Sequence, residues 1–225
     1  FENILPDYVR KTKVIPFVAW MDEGSYRDDP LRVAQEYHLP QKFFYLPNQF
    51  WKHKNHRVVL EALTLLKNEG TNIAIAASGI LEDYRNPSYP SELVSEIARL
   101  DLHGQFILLG LIPRSHVIAL IRQSLGVLQP SLFEGWSTSI EEAKSLGKPV
   151  LASNLDVHRE QAATGALYFD PHNARELADH LKALNEDWKP GVNAQAESRA
   201  REWMIARAQI FGETFLALAC EAANK

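Results

Sequence analysis

Glu134, Glu142 and Lys54 are the side chains whose types and placement point most directly to chemistry. The two glutamates are separated by seven residues in EGWSTSIEEA, and the lysine lies in PNQFWKHKNH. A carboxylate accepts two hydrogen bonds, which suits vicinal hydroxyls such as those of a ribose. A lysine ammonium is a compact point charge suited to a diphosphate. Each has an ordinary alternative. Glu142 can be a capping carboxylate to Ser139, Glu134 a solvated loop residue, and Lys54 part of a solvated helix start. Gly135 directly after Glu134 favours a close backbone approach that solvent would not require. The amides of Gly135, Trp136 and Ser137 precede a helix, and a helix N-terminus is an anion site.

The elements that must position these groups follow from the pattern. Leu128 to Ser153 reads as a buried strand stopped at Pro130, a polar loop, a capped helix and a second buried strand. Thr138 with Glu141, or Ser139 with Glu142, can cap that helix, which leaves Glu141 to the cap or the surface. Gly147 and Pro149 end it. Short apolar runs at Phe43–Pro47, Ile73–Ala77, Phe106–Leu109, Leu125–Gln129, Val150–Ala152 and Ala166–Phe169 alternate with helical stripes. Val59, Ala62, Leu63 and Leu66 form one stripe, and Leu177, Leu181 and Leu184 another. Gly70 marks one helix end, and Asn173 with Glu176 a helix start. The expectation is an α/β fold: a Rossmann-like, doubly wound, mainly parallel six-stranded sheet.

An open sheet of that kind binds ligands at its carboxyl edge. The loops there are polar or glycine-bearing: Asn48-Gln49, Ser78-Gly79, Gly110 through Pro113, Ser131 through Ser137, and Ser153-Asn154. Flanking segments stand outside the alternation. The run VIPFVAW in Lys11–Trp20 reads as an incoming strand, Asp22–Pro30 as a polar loop, and Ala194–Ala223 as one or two helices broken near Gly212. The expected organisation is an incoming segment at 1–40, a ligand-binding body at 41–193 and terminal helices at 194–225.

Together, PNQFWKHKNH and LQPSLFEGWSTSIEEAKSLGKPVLAS resemble the donor-binding domain of retaining glycosyltransferases of the GT-B fold, family 4 in particular. The resemblance covers roughly Phe43 to Ala222 and is sharpest at 47–55 and 130–151. It implies Glu142 on the ribose hydroxyls, Glu134 against the transferred sugar and Lys54 on the donor phosphates. It further implies that the backbone at Gly135, Trp136 and Ser137 meets the pyrophosphate or sugar, and that Leu111 and Ile112 hold the nucleobase. Asn48, Ser78 and Gly79 line the same cleft. The family usually has an arginine five residues before the lysine. Gln49 stands there, a donor without charge, and Trp136-Ser137 is a second departure. The substrate implied is a UDP- or GDP-linked sugar, passed as a hexose to a saccharide or lipid-linked acceptor in polysaccharide biosynthesis, with no metal and no separate cofactor. The acceptor-binding N-terminal half would lie outside this chain, which opens on Phe1 and reads as an excised domain. Any membrane contact, peripheral at the cytoplasmic face, would be made through that half. Alternatives on the same fold are a nucleotide-sugar 2-epimerase, a phosphorylase, or a module that binds nucleotide sugar without catalysis. An interaction domain with no small ligand is a further one.

Composition narrows the field. The 225 residues are 46% hydrophobic, enough for a full core. The net charge of −4 offers no basic footprint for nucleic acid. No run approaches the ~18 apolar residues of a membrane span, and FENILPDYVRKTK has no apolar signal-peptide core. Cys220 is the one cysteine, which fits a reducing compartment. His53 and His56 lack the further ligands a metal site needs. No Asp-x-Asp, dinucleotide fingerprint, Walker A loop or nucleophile elbow is present. Trp51, Trp136, Trp188 and Trp203 read as packing residues.

Overall fold

The computed structural model describes residues 12–15, 17–161 and 166–223. Six strands form one sheet: β1 (Phe44–Pro47), β2 (Ile75–Ser78), β3 (Phe106–Gly110), β4 (Val127–Gln129), β5 (Val150–Ser153) and β6 (Leu167–Phe169). Their order is β3-β2-β1-β4-β5-β6, and every neighbouring pair is parallel. The helices are α1 (Pro30–Glu36), α2 (His56–Asn68), α3 (Tyr89–Arg99), α4 (Arg114–Gln123), α5 (Thr138–Ser145), α6 (Asp156–Glu160), α7 (Ala174–Asp187) and α8 (Ala194–Ala223). The doubly wound α/β expectation holds.

Each strand is apolar on both sides because helices cover both faces. Phe44 and Leu46 point into a layer built with Val59, Leu63 and Leu66 of α2 and Leu177 and Leu181 of α7. Phe43 and Tyr45 point the other way, onto Val33 of α1, Ile118 and Ile121 of α4, Ile140 of α5 and Met204 of α8. That alternation is the period of two that an extended chain imposes. The sequence direction of the strand order reverses between β1 and β4, so the crevice of a doubly wound sheet opens outside their carboxyl ends.

Several local expectations change. No strand forms among the described residues of 12–22, while Lys11 and Pro16 lie outside the described residues, as does the stretch FENILPDYVRK. The loop before residue 30 contains a short 3-10 turn at Glu23–Tyr26, and α1 follows it; Asp29 caps that helix by accepting from Arg32 N–H, with Pro30 at its first position. The terminal region is one helix that runs through Gly212 unbroken. A glycine there costs only about 1 kcal/mol relative to alanine, too little to break thirty residues of good helix formers. Ser137, not Thr138 or Ser139, caps α5, accepting from Ile140 N–H. Gly147 ends that helix with φ 64°, as its position suggested. No helix among the described residues is long and apolar enough to cross a membrane.

One buried group makes the fold pH-sensitive. His56 is fully buried, stacked on Phe50 with ring centroids 4.6 Å apart, and neither ring nitrogen has a partner among the described residues. Burial pushes its pKa down to about 3, helped by the charges of Lys54 and His53. An unfolded histidine titrates near 6.5, so between about pH 3 and 6.5 the unfolded chain binds more protons than the folded one. The stability His56 contributes is therefore complete above that window and is lost as pH falls through it. Between pH 7.5 and 5 the wild type should lose about 2 kcal/mol more than His56→Phe, whose ring keeps the stack. Urea unfolding of both proteins at the two pH values checks this; equal losses would mean that His56 is not the titrating group.

Candidate functional site

The crevice is built from the loops that leave β1 and β4. Asn48, the first residue beyond β1, is buried and donates from Nδ2 to Gln129 Oε1 at 2.6 Å. Gln129, the last residue of β4, donates in turn from Nε2 to Glu134 Oε1 at 2.8 Å. The same carboxylate oxygen receives Ser131 Oγ at 2.7 Å and Lys54 Nζ at 2.5 Å. Only 12% of the lysine side chain and 8% of the glutamate are exposed, so this ion pair is shielded from water. No donor among the described residues reaches Glu134 Oε2.

Lys54 reaches this position because the chain after β1 makes a 3-10 turn, Lys52–Lys54, and then turns left-handed at Asn55 with φ 57°. Asn55 Nδ2 donates to the carbonyls of Pro130 and Pro171, and Leu132 N–H to that of His53. The lysine loop is thereby stitched to the loop that carries Glu134. Gly79 allows the neighbouring loop to close in: its φ is 153°, and a Cβ there would lie 2.3 Å from the Asn48 carbonyl oxygen.

Glu142 enters from α5. Its Oε1 receives Arg114 NH1 at 2.7 Å, and Oε2 has no hydrogen-bond partner among the described residues. Burial raises its pKa and the arginine opposes the rise. Arg114 opens α4, directly after the loop that follows β3, so that loop, with Leu111 and Ile112, faces α5 across the crevice. Leu111 is exposed there, whereas Ile112 is packed into the second core layer. Both glutamates are therefore held through one oxygen with the other left open.

Other expected site residues are engaged elsewhere. Ser78 is buried and shares a 2.5 Å hydrogen bond with Tyr45 OH, so it serves the sheet rather than the crevice. Gln49 Oε1 accepts from Ile80 N–H at 2.8 Å, which commits the carbonyl end of that side chain to the next loop. Ser137 N–H donates to Gln161 Oε1 at 3.0 Å, and Gln161 Nε2 returns to the Ser137 carbonyl, so this amide is not free for an anion. Gly135 is exposed and Trp136 half-buried, with the Trp136 Nε1 buried and unpartnered among the described residues. Glu141 corrects the surface assignment: it is fully buried, receiving Lys144 and Arg207 at 3.0 Å each and Gln161 at 3.2 Å. His53 and His56 do not converge, and no trio of metal-ligating side chains occurs among the described residues.

Gln129 and His158 were missed in the sequence, and Ser131 was placed only within the edge loop. A glutamine closing a buried strand, directly before Pro130, was the available signal for the first. His158 is buried, and its Nδ1–H donates to the Ser153 carbonyl at 2.8 Å, which leaves Nε2 a bare acceptor without a partner among the described residues. Burial holds its pKa below the usual histidine value, within the field of Glu134 and Lys54. Nothing in the sequence pattern marked it. A separate cavity of about 940 Å³ lies at the opposite edge of the sheet, between Pro149, Trp188 and Trp203.

Two half-satisfied carboxylates and a lysine at the switch point of a doubly wound sheet have the chemistry to hold hydroxyls and negative charge. The chain belongs to the glycosyl transferases group 1 family, whose model matches residues 30–203. It is 28% identical over 177 residues to O-antigen chain mannosyltransferase B of Escherichia coli, covering 77% of this chain and 45% of that protein. The fold is that of HepE from Anabaena, solved in complex with UDP: TM-score 0.71, 21% identity, 91% of this chain and 57% of that one. The C-terminal domain of a group 1 glycosyl transferase (LpcC) from Francisella tularensis matches with TM-score 0.60 and 18% identity over 88% of this chain and 97% of that domain. This chain thus spans less than half the length of its Escherichia coli relative.

The adjacent glutamates of α5 should separate cleanly on mutation. Glu141→Ala leaves two partly buried cations without their carboxylate and should cost about 3 kcal/mol. Glu142→Ala releases only a half-exposed arginine and should cost under about 1 kcal/mol. Denaturant unfolding of the two variants measures both, and the reverse order would refute the assignment of Glu141 as the structural member.

Proposed function

We propose that this chain is the nucleotide-sugar-binding part of a retaining glycosyltransferase that moves a hexose from a UDP- or GDP-linked donor to a saccharide or lipid-linked acceptor. The observation that carries the reading is the pair of glutamates with one open oxygen each, facing a switch-point crevice in a member of this family. Glu142 Oε2 accepts from the ribose hydroxyls. Glu134 Oε2 orients the transferred sugar. Lys54 has three donors, one of which goes to Glu134, and the others serve the diphosphate. The amides of Gly135 and Trp136 and the start of α5 add positive potential where charge grows on the leaving diphosphate. The reaction on this reading needs no metal, and no residue of the crevice acts as a covalent nucleophile.

The length of the relatives supports a second half that binds the acceptor. Residues 41–193 form the donor-binding body, and the outer part of α8 packs toward that half. Membrane contact, where the acceptor is lipid-linked, belongs to that half and the cytoplasmic face. By itself the chain should bind nucleotide sugar weakly and turn over little or none. A mannosyltransferase among the relatives and a UDP complex among the structural neighbours favour a sugar nucleotide without choosing the base.

A thermal-shift panel of UDP, GDP, ADP and their sugar conjugates tests the reading. One base class should raise the midpoint, and Glu142→Ala should abolish the shift; ligand at 100 times Kd adds about 2.7 kcal/mol. No response to any nucleotide would overturn it. A second reading, a binding module without catalysis, is favoured by the uncharged Gln49 and its commitment to Ile80. Product analysis with the acceptor half present separates the two, because Lys54→Ala should then lower transfer by about a hundredfold or more if the enzyme is active.

A further inference from the structure

Arg114 is the first residue of α4, and that helix has neither an acidic residue in its first turn nor a side-chain cap. A cation at a helix N-terminus faces the positive end of the dipole and is disfavoured there. Its guanidinium nevertheless crosses the crevice to Glu142 Oε1 at 2.7 Å, although 58% of the arginine side chain is exposed against 11% of the glutamate. The expensive desolvation falls on the carboxylate, and the arginine remains largely solvated while holding it.

We propose that Arg114 is the positioning residue for Glu142: by occupying Oε1 it fixes the carboxylate so that Oε2 faces the vicinal hydroxyls of a bound ribose. This rests on the nucleotide-sugar reading of the crevice and adds a residue to it. Among the described residues, the groups facing Glu142 are few. From α4 comes Arg114, and from β1 comes Tyr45, whose hydroxyl is buried, bonded to Ser78 and held neutral by that burial. On α5 itself, the neighbouring Glu141 is taken up by Lys144 and Arg207. Arg114 is thus the cation that opposes the effect of burial on this carboxyl group. Without it the group takes up a proton at higher pH. A carboxylic acid cannot accept from both ribose hydroxyls as a carboxylate does.

The test is calorimetric titration of the chain with UDP and GDP, using whichever the wild type binds, from pH 5.5 to 8.5. Wild-type affinity should fall only at the acid end. Arg114→Ala should begin to lose affinity at a higher pH than the wild type, and be weaker by about tenfold at pH 6. Arg114→Lys restores the charge and should bring the pH profile back toward the wild type. With the 2′,3′-dideoxynucleotide, wild type and Arg114→Ala should bind alike, since both hydroxyls that read Glu142 are gone. Wild-type affinity for Arg114→Ala at every pH, or tighter binding at every pH, would overturn the proposal; the latter would make the arginine a competitor for the site. An equal loss on the 2′,3′-dideoxynucleotide would also overturn it, placing Arg114 directly on base or phosphate. A wild type that binds neither nucleotide would instead remove the reading on which the proposal stands.

Discussion

A carboxylate shielded from water at Glu134 is the constraint around which the carboxyl edge of the sheet is organised. A buried charge is tolerable only when it is paired and hydrogen-bonded. Here three donors meet it: Lys54 from the loop after β1, and Gln129 and Ser131 from the end of β4 and its loop. Satisfying that one group obliges the two central strands to end at matching heights. It also obliges Asn48 to fix Gln129, and Asn55 to fix the lysine turn against Pro130 and Pro171. The close approach of Gly79 to Asn48 follows from the same crowding. All three donors converge on one oxygen, which leaves the other without a donor among the described residues.

Most of the fold could be read from the sequence because a doubly wound sheet writes itself as short apolar runs. All six strands appear where such runs fall, with ends displaced by a residue or two. The crevice was legible for the same reason: polar residues directly after apolar runs must lie at the carboxyl edge. Glu134, Glu142 and Lys54 were placed at that edge in this way and through the resemblance their phrases carry. What escaped depends on contacts between distant segments. Ser78 looks like an edge residue until Tyr45 is seen to reach it from the next strand. The amide of Ser137 looks free until Gln161 arrives from the end of α6. No local pattern encodes either meeting.

The adjacent glutamates of α5 show how finely the helical period divides labour. Successive residues lie about 100° apart around a helix axis. Glu142 faces the crevice and Arg114, and the one-residue step turns Glu141 toward α8 and Arg207. In the sequence the two are indistinguishable by composition, and both are compatible with a cap. Only the packing of α8 against α5 decides that one is buried and fully paired while the other keeps an open oxygen.

That arrangement makes the geometry of the crevice depend on contacts well away from it. The rotation of α5 about its axis sets where Glu142 points, and Glu141 with Lys144, Arg207 and Gln161 is what resists that rotation. Arg207 also donates to the Phe17 carbonyl, and Ser145 Oγ to that of Ala19, so the chain before α1 is tied to the same helix. A rotation large enough to turn Glu142 away from Arg114 would draw a fully buried carboxylate out of its cations, which is among the costlier disruptions a protein can suffer. The open oxygen of Glu142 is therefore held in place twice, by a solvated arginine in front and by a desolvated ion-pair cluster behind.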